Sequence, residues 1–289
     1  MKDIKFEIKN AKEEIQLVMQ ANLSDISEAM IKQVMANKKK LPNALVLNST
    51  KDIKPKGAIQ YKRDLASTLA VVASDALDQA RKEVPGAKNV KLMENEHRLL
   101  FGEFDELPTS IKKRIRNANQ LLIGTQIADL EKALFFQFTS SVSSDKSDNE
   151  IEFDMKENAN DYIKGASIIS GSSVVAANTV NEARNAFFFD KDTLNEIEAF
   201  QFMNGDPVSA ICNDLAGTIF AKDDPDHFRY TPPLHYNCKS WIRPIIKLKK
   251  NDKVEKLKPS TKKLEDTIQF GEIGEACSCT CQDKNHFNL

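Results

Sequence analysis

The chain has 289 residues, enough for one large or two modest domains, with 41% hydrophobic and 29% charged residues, as in a soluble protein of helical bias. Its formal net charge is −1, so bulk electrostatics select neither nucleic acid nor membrane as a partner. Five cysteines, three of them within five residues at Cys277, Cys279 and Cys281, read as reduced thiols or metal ligands rather than as a disulfide framework.

The opening residues Met1–Glu14 alternate charged and apolar side chains without the apolar core of a signal peptide, and Leu65–Ala73 is too short to span a bilayer. In residues 11–38, Ile15, Met19, Leu23, Ile26, Met30 and Val34 step by three and four, which predicts a long amphipathic helix. Asn10 and Glu13 fit a capping box at its start, and Lys38–Lys40 with Pro42 fit its end. Residues 41–59 read as a loop, and 60–83 as a second helix on Leu65, Leu69, Val72, Ala76 and Ala80. A short helix is expected over 90–102, and a long one opening at Thr109 and Ser110 with Leu122, Leu130 and Leu134 on its apolar stripe.

Residues 141–159 shift to serine and acid and read as an acidic linker, in which a solvated turn accounts for the acids better than a calcium loop does. A helix rich in small residues follows over 161–188; Gly171, Ser172 and Ser173 imply either a break or a very close neighbour there. Arg184 and Asn185 near its end read as surface or locally bonded residues. Three short strands are expected at Glu196–Met203, Thr218–Phe220 and Ser240–Ile245, with Asn204-Gly205-Asp206-Pro207 a turn after the first. The fold class is therefore mainly α with a small α+β C-terminal module.

Rare residues concentrate in Ile211–Pro244, which holds two cysteines, two of the four histidines, the only tryptophan and four of the ten prolines. Cys212 follows one turn, and His235 and Cys238 form H-x-x-C after Pro232-Pro233. Thiolate and imidazole are ligands that zinc accepts, so Cys212, His235 and Cys238 are candidate metal ligands, with Ser209 standing where a C-x-x-C partner of Cys212 would fall. Asp206, Asp214, His227 or a water are the options for a fourth ligand. The alternative is that both cysteines are small buried residues and His235 a hydrogen-bonded turn residue. A catalytic Cys/His pair is the weaker reading, because no acid is placed to orient the histidine.

Cys212, Leu215, Gly217 and Phe220, followed by Pro232, Pro233, Leu234, His235, Asn237, Cys238, Ser240 and Pro244, resemble the signature of the phage Mu F-like minor head proteins. The resemblance covers about residues 160–246, with departures at Ser209 and at Lys239-Ser240, where the family carries further cysteines. It implies a non-enzymatic minor capsid protein acting in phage head morphogenesis: a portal-associated virion component working in procapsid assembly and in DNA packaging or ejection. Portal, major capsid and scaffolding proteins would be its partners, the procapsid interior its location, and the host cytoplasm its site of synthesis.

On that reading residues 1–140 are a helical docking arm, 141–159 a linker, 160–246 the head-morphogenesis module, and 247–289 a basic, cysteine-containing tail. Lys247–Lys263 carries eight lysines against two acids, suited to non-specific contact with DNA phosphates or to a solvated linker. The C-S-C-T-C run at Cys277–Cys281 reads as a disordered reduced terminus. A metal-dependent hydrolase or nuclease using the Cys/His turn is the competing class, and it lacks an H-E-x-x-H or similar set.

Overall fold

A computed structural model of the chain describes residues 4–38, 46, 50–88, 109–205, 209–224, 227, 230–234, 238–247 and 253–254, and of residues 6 and 109–121 the backbone only. The order of elements is α1 (Ile4–Lys38), α2 (Ile53–Glu83), a 3-10 turn (Pro85–Ala87), α3 (Thr109–Ser143), α4 (Asp148–Ile163), α5 (Ala166–Phe188), α6 (Lys191–Asn195), β1 (Ala199–Met203), α7 (Ala210–Leu215), β2 (Ile219–Ala221) and β3 (Trp241–Ile245). The fold is mainly helical with one small antiparallel sheet, as the sequence pattern predicts. The expected helix at 90–102 lies outside the described residues.

Two helix starts differ from expectation. In α1 the apolar stripe continues backwards through Ala11, Ile8 and Ile4, all buried, so Asn10 and Glu13 lie inside the helix rather than at its start. Helix α2 begins at Ile53, inside the expected loop 41–59, because Pro55 falls in the first turn, where its missing N–H has no intrahelical partner to lose.

The acidic linker at 141–159 is the larger correction. Helix α3 runs to Ser143 and closes through Asp145, whose φ of 51° lies in the left-handed region. Asp145 N–H donates to the Val142 carbonyl at 3.1 Å and Lys146 N–H to that of Ser141 at 3.2 Å, a Schellman closure with aspartate in place of glycine. Ser147 then caps α4 in a capping box with Glu150, so Asp148 and Glu150 sit in a first turn, where the helix dipole favours them. Ile151, Met155, Ala159 and Ile163 recur every four residues and are all buried, which fixes α4 against its neighbours.

The chain divides into two compact units that interleave in sequence: Met1–Ala11, Leu69–Ile115 and Ser173–Leu289 form one, Lys12–Thr68 and Arg116–Ser172 the other. The contiguous division into residues 1–140 and 160–246 is therefore not the one observed.

The second unit is helical, with a core of Ile15, Met19, Leu23, Met30, Tyr61, Leu65, Leu130 and Met155. Each buried aliphatic side chain of this kind contributes about 1.5–3 kcal/mol. A polar knot sits inside it: Tyr61 donates to Gln126 Oε1 at 2.5 Å, Gln126 donates to Met19 Sδ at 3.7 Å, and Tyr162 donates to the Gln126 carbonyl at 3.0 Å. Burial pushes the Tyr61 phenol well above its ordinary pKa, so it stays a neutral donor. Close packing explains Gly171: a Cβ there would stand 3.3 Å from Gln126 Nε2 and 3.4 Å from Leu122 Cδ1.

The first unit carries the sheet, ordered β2-β1-β3 with antiparallel pairs throughout. Phe200 pairs with Phe220 on one side and Pro244 on the other, while Phe202 pairs with Ile242. These five are buried on one face, and the edge position of β3 is what tolerates a proline in a strand. Phe187, Phe188 and Phe189 of the α5 C-terminus extend the aromatic cluster, with Phe189 5.0 Å from Phe200 between ring centroids. Val254 forms a parallel bridge with Ile219, so at least this residue of the expected tail lies on the sheet.

Candidate functional site

The site is built where the turns before β2 and β3 meet α5. Apart from Asn178, every residue of α5 from Gly171 to Arg184 is buried, which is why the helix is made of small side chains. Three polar residues on its later turns do specific work. Asn181 Nδ2 donates to the Ser240 carbonyl at 2.9 Å, and Asn185 Nδ2, one turn on, donates to the Pro232 carbonyl at 2.7 Å. Arg184, only 1% exposed, grips Glu83 of α2 with two bonds at 2.8 and 2.9 Å and lies 5.0 Å over the Phe188 ring. Arg184 is thus neither the surface nor the locally bonded residue expected from the sequence; its guanidinium is buried because a carboxylate 101 residues away is there to meet it.

The asparagines hold the two ends of the segment that contains Pro232-Pro233, Leu234, His235 and Cys238. Leu234 and Cys238, between these anchors, are both 0% exposed. Gly205, just after β1, passes against it so closely that a Cβ would lie 2.1 Å from the Lys239 carbonyl oxygen. Gly205 N–H donates to Ser240 Oγ at 3.4 Å. On the other side, Gly217 takes a φ of 77° and returns its N–H to the Phe202 carbonyl at 2.9 Å, closing the Leu215-Ala216-Gly217 turn.

Of the three expected metal ligands, the structure brings Cys212 and Cys238 together, with sulfurs 3.7 Å apart and both buried; neither is in a disulfide. His235 lies outside the described residues, as do Asp206, Cys277, Cys279, Cys281 and most of Lys247–Lys263. Ser209 has a different task from the missing thiolate: it caps α7, its Oγ accepting the Cys212 N–H at 3.2 Å. His227 stacks on Phe189 at 4.9 Å between ring centroids, with Nδ1 2.7 Å from the Asp224 carbonyl.

Hydrogen bonding sets the state of the cysteine pair. The Cys212 thiol beside Cys238 is the largest influence and lowers the Cys238 pKa from its ordinary value to about 7; burial opposes this, and bonds from the Leu234 and Ser240 backbone and the Ser240 hydroxyl reinforce it. The lowered value favours the thiolate at Cys238, the form that attacks and that binds metals. Two thiolates on one tetrahedral zinc, with Zn–S near 2.3 Å, stand about 3.8 Å apart, so the observed spacing fits adjacent corners of such a centre. Among the described residues, however, no group of three His, Cys, Asp or Glu side chains is placed to hold a metal ion.

Sequence reasoning missed Asn181, Arg184 with Glu83, and the double role of Ser240. Their signal was polar residues spaced three and four apart in a helix otherwise made of small apolar ones. No known protein-family model, curated protein or solved structure matches this chain. No helix among the described residues is long and apolar enough to cross a membrane.

Proposed function

We propose that this chain is a minor head protein of a tailed phage or prophage, portal-associated and acting in procapsid assembly and DNA packaging or ejection. In that role it works by docking rather than by catalysis. What carries the reading is the anchoring of the P-P-L-H-x-N-C segment: Asn185 on the Pro232 carbonyl and Asn181 on that of Ser240 hold the signature at both ends against one helix. A module ordered in advance loses less entropy when it joins a subunit ring, which suits an assembly component. Portal, major capsid and scaffolding proteins are the proposed partners, and the lysines of 247–263 the proposed contact with packaged DNA phosphates.

Because residues 1–140 contribute to both compact units, docking is tested with the intact chain rather than by deleting an arm. Co-expression with the portal protein of the same phage, followed by sedimentation, is expected to place the chain with the portal ring. A folded chain that sediments alone at micromolar concentrations of both proteins would overturn the proposal.

A further inference from the structure

The Cys212 and Cys238 sulfurs are 26 residues apart in sequence and 3.7 Å apart in space. The hydroxyls that occupy the neighbouring positions are already committed. Ser209 Oγ accepts from Cys212 N–H, and Ser240 Oγ accepts from Gly205 N–H while bonding Cys238. Cys212 and Cys238 thus form a pair of adjacent thiols between two anchored turns. Shortening their separation to a bonding distance of about 2.0 Å takes about 1.7 Å of sulfur movement, within reach of side-chain rotation.

We propose that Cys212 and Cys238 form a reversible dithiol/disulfide site whose oxidant is a hydroperoxide, and whose closure locks the turn before β2 to the segment before β3. With the sulfurs 3.7 Å apart either thiol can attack and the other resolve. With Cys238 as the attacking thiolate, its sulfur takes the terminal peroxide oxygen as the O–O bond breaks. The departing oxyanion gains a proton and leaves as water from hydrogen peroxide or as an alcohol from an organic hydroperoxide. Two electrons have passed from sulfur to peroxide, and Cys238 is a sulfenic acid. The Cys212 sulfur then attacks the Cys238 sulfur, its proton leaving with the sulfenic hydroxyl as water. A dithiol reductant returns two electrons and two protons and restores both thiols.

Both sulfurs are buried, so the first step waits on opening of the turns and is slower than at an exposed thiol. Closing the 26-residue separation restricts the unfolded chain and stabilises the oxidised form. This site stands independently of the head-protein reading, and either can fail without the other.

The test uses the full-length chain with Cys277→Ser, Cys279→Ser and Cys281→Ser, leaving these two thiols alone. After hydrogen peroxide, denaturation in N-ethylmaleimide and intact mass measurement, the expected product is lighter by two hydrogens and unalkylated, and dithiothreitol reverses it. A non-reducing digest joins the peptides holding Cys212 and Cys238, and the unfolding midpoint rises by on the order of 5 °C. With Cys212→Ser added, Cys238 stops at sulfenic acid and is captured by dimedone.

Two outcomes would overturn the proposal. One is both thiols remaining alkylatable after a peroxide dose that oxidises the urea-unfolded chain. The other is one equivalent of zinc held by the two thiolates, its chelation unfolding the protein. If the Cys212→Ser variant does not fold, the cross-link mass of the two-thiol parent decides alone.

Discussion

The two compact units hold together by different means. In the helical unit, apolar stripes such as Ile15, Met19 and Leu23 of α1 and Ile151, Met155 and Ala159 of α4 are buried by periodicity, with one polar knot at Gln126. In the sheet-bearing unit, a three-stranded sheet is too small to fix its own loops, and single polar side chains do so: Asn181, Asn185, Ser209 and Ser240, each on a named backbone atom. Distributed burial tolerates a lost methylene at moderate cost, whereas a loop held by one bond is lost with that bond.

The comparison is broken most sharply at Arg184. Arg184→Met strands the Glu83 carboxylate and is expected to cost about 3–5 kcal/mol in urea unfolding, most of which returns when Glu83→Leu is added. Gly205→Ala comes next, at about 3 kcal/mol, because its Cβ meets the Lys239 backbone at 2.1 Å. Gly217→Ala sharpens the point: nothing lies within 4 Å of that Cβ, so only the left-handed φ is lost, at about 1 kcal/mol.

In the helical unit, Gln126→Leu leaves the buried Tyr61 hydroxyl without its acceptor and costs about 1–3 kcal/mol. Adding Tyr61→Phe recovers much of this, as expected where burial rather than one bond carries the structure.

A comparably small effect is expected in pH. The Cys238 pKa is lowered on folding to about 7, so its contribution is present above the unfolded thiol value and is lost as pH falls through 7. Reduced protein is therefore expected to be about 1–2 kcal/mol more stable at pH 9 than at pH 7, with that difference absent in Cys238→Ser.

The same contrast explains what was legible in the sequence. The helical stripes and all three strands could be read because periods of 3.6 and 2 are written directly in the order of apolar residues. Residues 148–163 were misread because composition was weighed over spacing: the acids are on the exposed side, while Ile151, Met155, Ala159 and Ile163 carry the helix. The interleaving of the units was not legible, since it depends on which distant segments meet. Cys212 and Cys238 stood out as rare residues near turns. Ser209 did not show its purpose, because a missing thiolate and an N-cap serine look alike until the helix start is known. Arg184 misled for a similar reason, its partner Glu83 being 101 residues away.

The central proposal is that this chain is a component of an assembling phage head. Its most direct test, on a phage or prophage that carries the chain, is the protein composition of purified procapsids, measured by mass spectrometry with and without an amber mutation in this chain. The account predicts the chain in procapsids beside the portal protein, and a loss of DNA-filled, infective particles when it is missing. Procapsids that lack the chain in the wild type, with infective yield unchanged by the mutation, would contradict it.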